Sequence, residues 1–346
     1  EAVQEHMSNL QRVFFKVEKN RKYRPFHFPR NADEEIDKIM TRAMKTTQRY
    51  RNLRKAKKSD KEILEAFNTP LPMTVFTYAG DKDTVLSPMD SLRYYKHFYQ
   101  VGMMSVEPQT GFVKAWVGGI DFRYFKYDHV KQGSRQVGST FKPFVYAAAV
   151  TQKHYSPCML VPNVRTCIEK GTFDLLKDWC PDNSDNKYGG MLTLKQGLAQ
   201  SKNTITTYLM KQIGPGPVIE LARKMGVNSE IPIQPSIALG TVDLSVYEMV
   251  GSYTTFANKG IYTQPIMVTR IEDKNGVVLD DFVPETNEVM TEEDAYIVAN
   301  LLKGVTQSGT GVRLRTSGAN YTDNHVTGYP YKFTNPIAGK TGTTQN

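Results

Sequence analysis

Long apolar runs are missing from these 346 residues. A typical best run, Val145-Tyr146-Ala147-Ala148-Ala149-Val150, falls far short of the roughly 20 residues that span a bilayer. No signal peptide opens the chain, which starts abruptly in a polar helical pattern. The sequence therefore reads as an excerpt, with any targeting or anchoring segment outside it. Cysteine is scarce: Cys158, Cys167 and Cys180 all fall in one stretch. Their spacings match no zinc pattern and no histidine cluster accompanies them, so no metal site is expected. An oxidising compartment would allow one disulfide, with Cys167–Cys180 preferred, although spacing alone does not settle the pairing. No repeat or low-complexity segment occurs.

Acids are outnumbered. The net charge is +9, and much of the excess is local. Between Lys45 and Lys61, eight basic residues (Lys45, Arg49, Arg51, Arg54, Lys55, Lys57, Lys58, Lys61) face the single acid Asp60. Such a run is usually a solvated helix face. No nucleic-acid reader motif accompanies it, so no nucleic-acid partner is expected.

The opening 69 residues are helical in pattern. Val3, Met7, Leu10, Val13, Phe14 and Val17 form one apolar stripe. A break follows at Arg24-Pro25-Phe26-His27-Phe28-Pro29. A second amphipathic helix, begun by Ile36, Ile39 and Met40, runs into the basic segment. Ser59-Asp60-Lys61-Glu62 is a capping box for a further short helix, which Asn68-Thr69-Pro70 ends. Strand character begins near Met73, at Met73-Thr74-Val75-Phe76-Thr77-Tyr78, and Ser87-Pro88 opens a helix. A hairpin joins residues 103–106 to 112–117 through Glu107-Pro108-Gln109-Thr110-Gly111. Helical signals then dominate from Ser139 to about Asn300. They include a helix over Val246 to Phe256 closed near Gly260 and one capped by Thr291. Between them a small hairpin is expected to turn at Asp273-Lys274-Asn275-Gly276. Strands around a helical middle imply an α+β domain.

Three short elements carry chemistry: Ser139-Thr140-Phe141-Lys142, Ser201-Lys202-Asn203 and Lys340-Thr341-Gly342. Residues i and i+3 share a helix face, so the Ser139 hydroxyl and the Lys142 amine can meet. A helix starting at Ser139 accommodates Pro143 in its first turn. It also leaves the Ser139 N–H without an intrahelical partner, half of an oxyanion hole. A serine hydroxyl needs a base, and lysine serves only when burial or a neighbouring cation lowers its pKa. Lys340 supplies such a cation and could attract a substrate carboxylate. Ser184-Asp185-Asn186-Lys187 matches two of the patterns by chance. It lies in a polar, turn-rich loop that gives a site no rigidity, and is rejected.

Order and flanks make the trio specific. It is the set found in penicillin-binding proteins and class A β-lactamases. Arg135-Gln136-Val137-Gly138-Ser139-Thr140-Phe141-Lys142-Pro143 resembles the nucleophile segment of the bifunctional, class A penicillin-binding proteins (the PBP1A-like group). The Glu107 to Gly111 turn with Gly118-Gly119, Leu239-Gly240 with residues 245–260, and Ser308-Gly309-Thr310-Gly311 also resemble that family. Val137 stands where proline is usual and Glu107 where aspartate is usual.

The resemblance implies a transpeptidase fold: an antiparallel sheet flanked by helices, plus an all-α subdomain. It divides the chain into a connector, residues 1–69, following a glycosyltransferase domain outside the chain, and a penicillin-binding domain, residues 70–346. The chain stops four residues after Gly342. The family's closing strands and helix are therefore expected to be absent, leaving the Lys-Thr-Gly strand as an exposed edge and the excerpt poorly stable or inactive. The implied activity is D-Ala-D-Ala transpeptidation, with Ser139 as nucleophile, Lys142 as base and Ser201 as proton relay. Asn203 would hold a substrate amide, Lys340 and Thr341 the terminal carboxylate, and the N–H of Thr343, after Gly342, would complete the oxyanion hole. The implied partners are peptidoglycan stem peptides on lipid II-derived glycan strands, β-lactams and other cell-wall synthesis proteins. The implied location is the extracytoplasmic face of the cytoplasmic membrane, with no cofactor. Two rivals remain at this stage. A β-lactamase or sensor would need a deacylating glutamate, and Glu220, Glu230, Glu248 and Glu272 lie in no segment resembling that loop. A non-enzymatic scaffold would not need every motif residue intact.

Overall fold

The computed structural model describes residues 1–18, 33–315 and 333–344, so the proline- and aromatic-containing break at 24–29 lies outside the described residues. The chain forms two compact units. Among the described residues, one comprises 1–18 and 33–100 with 120–126, and the other 101–119 with 127–315 and 333–344.

In the first unit, α1 (Ala2–Glu18) buries Met7 and Gln11. The Gln11 amide donates to the His97 carbonyl at 2.7 Å and accepts from the Tyr99 N–H at 2.9 Å. α2 (Asp33–Thr46) has acids in its first turn and Lys45 in its last, which matches the helix dipole. It does not run on through the basic segment. Thr47 accepts from the Tyr50 N–H and caps a new helix, α3 (Gln48–Lys55). α4 (Asp60–Asn68) opens on the expected capping box of Ser59 and Glu62. All eight basic residues between 45 and 61 are exposed, with Arg54 paired to Asp60 and Lys58 to Glu62, a solvated face as expected.

β1 (Leu71–Val75) begins two residues before the expected strand and pairs antiparallel with β2 (Lys82–Leu86), which the alternation did not reveal. Ser87 then caps α5 (Pro88–Tyr95). Met89 and Leu92 of α5 pack on Ile36 and Met40 of α2 and on Met44, Ile63 and Phe67. That packing corrects the expected boundary at residue 69. The apolar face of the helices is covered by α5, so the first unit runs to Gln100.

The second unit opens with the hairpin of β3 (Met103–Val106) and β4 (Val113–Val117), its register shifted by a bulge at Ser105/Val106. β5 (Ser134–Gln136) leads into a 3-10 turn, Gly138–Phe141, that passes directly into α6 (Lys142–Lys153). The serine therefore sits in a 3-10 turn, and the α-helix begins at Lys142. β6 (Leu160–Pro162) pairs with β7 (Met191–Thr193), followed by α7 (Leu194–Ala199), α8 (Asn203–Ile213) and α9 (Pro215–Lys224). β8 (Asp243–Ser245) pairs with β5 and leads into α10 (Val246–Ala257). β9 (Ile261–Thr263), β10 (Arg270–Glu272), β11 (Val278–Asp281) and β12 (Thr286–Glu288) precede α11 (Glu292–Ser308). The expected turn at Asp273 joins β10 to β11, its carboxylate accepting from the N–H groups of Asn275 and Val277.

Every residue of α6 from Lys142 to Val150 is buried, with α8, α9 and α11 against it. Ala147, Ala148 and Ala149 let those neighbours approach closely, while Phe144 and Tyr146 fill the core. An α+β fold thus holds, but among the described residues the strands pair only in twos. The Lys-Thr-Gly segment is not a strand. Just before it, Gly339 N–H donates to the Leu302 carbonyl at 3.4 Å and the Thr306 hydroxyl to the Ile337 carbonyl at 2.6 Å, Leu302 and Thr306 both being in α11, and no ladder forms among the described residues. Phe144→Ala should lower stability by about 3–5 kcal/mol, read as a shift in the denaturant midpoint at constant slope; a change under about 1 kcal/mol would mean that α6 is not the core helix.

Candidate active site

Local sequence sets each motif in place. The Ser139 turn starts on a glycine that packs against a second one. Gly138 N–H donates to the Gly240 carbonyl at 2.9 Å. Both glycines have positive φ, 55° and 75°, and a Cβ on Gly240 would stand 1.8 Å from the Gly138 carbonyl oxygen. No side chain fits there. Tyr253 of α10 completes the clamp, its buried hydroxyl donating to the Thr140 carbonyl at 2.6 Å. The Ser139 N–H has no hydrogen-bond partner among the described residues, as the start of a helical turn predicts.

Lys142, one turn on, is fully buried. Its Nζ lies 2.6 Å from the Ser201 carbonyl oxygen, 2.6 Å from Asn203 Oδ1 and 3.2 Å from Ser201 Oγ. No carboxylate accepts from it among the described residues. Burial first, and then the charge of Lys340, hold its pKa well below the ordinary lysine value. Lys340 is half-buried, and burial lowers its pKa to about 8. Its Nζ donates to Ser201 Oγ at 2.9 Å and to the Thr341 carbonyl at 2.8 Å.

Ser201 is the meeting point. It sits between α7 and α8 with φ 57°, a left-handed conformation that costs a serine about 1–3 kcal/mol. The turn is fixed by the Ser201 N–H to the Leu198 carbonyl and the Lys202 N–H to the Gly197 carbonyl. Asn203 presents Oδ1 to Lys142 because its Nδ2 donates to the Asp182 carbonyl at 2.7 Å. The expected Cys167–Cys180 disulfide is formed, and Cys158 is free and exposed.

The third motif lies against the first. A Cβ on Gly342 would meet Thr140 Cγ2 at 2.7 Å, and one on Gly138 would meet the Thr343 carbonyl oxygen at 2.5 Å. Thr341 Oγ1 shares a hydrogen bond of 2.6 Å with Thr310 Oγ1. The structure therefore brings Lys142, Ser201, Asn203 and Lys340 into direct contact and lays Thr341, Gly342 and Thr343 beside the Ser139 turn. Sequence reasoning missed the anchoring roles of Tyr253, Gly240 and Thr310. The Leu239-Gly240 and Ser308-to-Gly311 stretches marked two of these places without revealing what they touch.

Ser184 is exposed, away from these contacts. Glu248 accepts from the N–H groups of Asn228, Ser229 and Ser245, Glu220 pairs with Lys224, and Glu272 with Arg270. Among the described residues no cluster of His, Cys, Asp and Glu is placed to hold a metal ion. No helix among them is long and apolar enough to cross a membrane. A cavity of about 560 Å³ behind the serine turn is walled by Leu244, Met249, Tyr253, Phe256 and Leu302. It touches Thr140 and Lys340 but not Ser139, Lys142 or Ser201.

A serine on a helical turn, a buried lysine after it and a serine–asparagine pair with a second lysine thus lie in one unit of the chain, and the comparisons with known proteins give the class of that unit. The model of the penicillin-binding protein transpeptidase domain matches residues 101–346 and that of the penicillin-binding protein middle domain residues 21–99, and the chain belongs to the penicillin-binding protein transpeptidase family. It is 32% identical over 246 residues to penicillin-binding protein 1A of Aquifex aeolicus, covering 70% of this chain and 31% of that protein. It is 31% identical over 253 residues to the Neisseria lactamica protein of that name, covering 71% of this chain and 30% of that one. The chain thus spans about a third of the length of the curated relatives it matches. The crystal structure of Haemophilus influenzae penicillin-binding protein 1A superposes with a TM-score of 0.61 at 19% identity, covering 92% of this chain and 55% of that one. The D,D-transpeptidase domain of an Eggerthella lenta peptidoglycan glycosyltransferase gives 0.56 at 20%, covering 71% and 67%. Those likenesses establish the fold.

Gly240→Ala should cost about 2–4 kcal/mol, measured by thermal unfolding, because its Cβ lands on backbone that cannot yield. An unchanged midpoint would show that the Ser139 turn is not clamped at Gly138.

Proposed function

We propose that the chain is the acyl-transfer domain of a serine D-Ala-D-Ala transpeptidase that cross-links peptidoglycan stem peptides and is acylated by β-lactams. We further propose that its parent protein also carries a peptidoglycan glycosyltransferase domain and works at the extracytoplasmic face of the membrane. The observation that carries this reading is the meeting of two lysine amines at one hydroxyl, Ser201 Oγ.

The mechanism follows from protonation states. With its pKa depressed, Lys142 is neutral and has two N–H donors and one lone pair. The donors go to the Ser201 carbonyl and Asn203 Oδ1, which leaves the lone pair to take a hydroxyl proton. Ser139 Oγ attacks the carbonyl carbon of the penultimate D-Ala while its proton passes to Lys142. The tetrahedral oxyanion is held by the N–H groups of Ser139 and Thr343, neither of which has another partner among the described residues. As the C–N bond breaks, Ser201 relays the proton to the departing amine of the terminal D-Ala, and Lys340 steadies the carboxylate with Thr341. An amine of a neighbouring stem peptide then attacks the ester, regenerating the Ser139 hydroxyl and forming the cross-link; water gives hydrolysis instead. The engagements of Glu220, Glu248 and Glu272 elsewhere weigh against a β-lactamase, which needs a glutamate to activate the deacylating water.

The test is acylation by a fluorescent penicillin in the full-length protein. Ser139→Ala should abolish labelling, and persistent labelling would remove Ser139 from the mechanism. Lys142→Ala should slow acylation by about 10²–10⁴-fold. The rate should fall on the acid side, as Lys142 gains a proton, and on the alkaline side near pH 8, as Lys340 loses its own. Lys340→Ala removes a repelling cation, so the acid limb should move to higher pH; a limb that stays put would contradict the coupling of the two lysines.

A further inference from the structure

We propose that the segment 182–188, stapled by the Cys167–Cys180 disulfide, is a positioning brace for the Ser201-Lys202-Asn203 turn, with Lys202 and Asp185 as its latch. The inference rests on the reading of that turn as catalytic. Lys202, the residue between the two motif side chains, is 4% exposed, and its Nζ donates to Asp185 Oδ2 at 2.7 Å and to the Lys187 carbonyl at 3.4 Å. No other carboxylate pairs with it among the described residues. A nearly buried ammonium that loses its counter-ion is left uncompensated at a cost, and the backbone from which Lys202 reaches Asp185 is the one that presents Ser201 and Asn203.

Two more bonds from the same segment act on the same turn. The Asp182 carbonyl accepts from Asn203 Nδ2 and so decides which end of the amide faces Lys142. Asn183 Oδ1 accepts from the Thr204 N–H at 3.1 Å in the first turn of α8. Asn183 Nδ2 is in turn occupied by Asn163 Oδ1 and the Lys187 carbonyl, at 3.0 and 2.9 Å. The disulfide closes the brace on the helix. Cys180 lies two residues before Asp182, and the carbonyl of its partner Cys167 accepts from Lys211 of α8 at 3.1 Å. The loop rejected as a catalytic site by its turn-rich sequence thus holds the second motif, and the bond between Cys167 and Cys180 limits how far it can withdraw.

The experiment compares the full-length protein with Asp185→Asn, Asp185→Glu and the double variant Cys167→Ser/Cys180→Ser, measuring penicillin acylation and amide hydrogen exchange at Thr204. Asp185→Asn and the double variant should acylate about tenfold more slowly, with the loss in the acylation step and not in prior binding. Asp185→Glu should recover much of the rate, and Thr204 should exchange faster in the two slow variants. Thermal midpoints close to that of the parent protein would separate positioning from unfolding. Unchanged exchange at Thr204 in Asp185→Asn would overturn the brace whatever acylation does. Faster exchange with unchanged acylation would overturn its role in positioning. Absence of acylation in the parent protein would count against the functional reading instead, and the exchange data would still decide the brace.

Discussion

The site depends on one costly placement: the amine of Lys142 lies inside the protein with no acid among the described residues to neutralise it. A charged ammonium there would have to be compensated, and the groups around it are a carbonyl, an amide oxygen and a hydroxyl, which satisfy donors without balancing charge. The neighbouring cation, Lys340, adds repulsion. Burial and repulsion act in the same direction and favour the neutral amine. A residue that is ordinarily an acid at neutral pH is thereby biased toward its basic form, three residues after Ser139, which is the role proposed for it above.

Much of the surrounding structure keeps that placement rigid. α6 is buried from Lys142 to Val150, so the amine cannot swing out to water without opening the core. Ser201 is held in a left-handed conformation that serine adopts at a cost, by backbone bonds to α7 and by the lysine it serves. The Ser139 turn is clamped between Gly240 and Tyr253 at one side and the Gly342 segment at the other. Strain at Ser201 and close backbone approach at Gly138 and Gly240 occur where three distant stretches of chain converge.

The three motifs, their order and the helices around them were legible in the sequence because each is local: an i, i+3 pair, a capping box, a proline at a helix start. Ser59 with Glu62 and Thr291 capped the helices their patterns foretold. What the sequence left hidden was set by packing. Thr47 interrupts the second helix with a cap that a run of charges does not advertise. β2 pairs with β1 although its alternation is weak. The residues leading into Lys-Thr-Gly bond to α11, and Lys340 and Thr341 to Ser201 and Thr310, instead of to a strand. The unit boundary falls at Gln100 because Met89 and Leu92 cover the apolar face of α2 and α4, a contact that linear reading cannot place. The partners of Lys202 were hidden for the same reason, since Asp185 lies 17 residues away in the chain and meets it only through the fold of its loop.

Titration of the Lys142 side chain tests the central claim most directly, followed by NMR of its Nζ or Cε in selectively labelled full-length protein. The account predicts a midpoint well below the ordinary lysine value of 10.5, which rises when Lys340 is replaced by alanine. A Lys142 that titrates near the ordinary value, or that ignores the loss of Lys340, would mean that it is charged at neutral pH and cannot take the proton from Ser139.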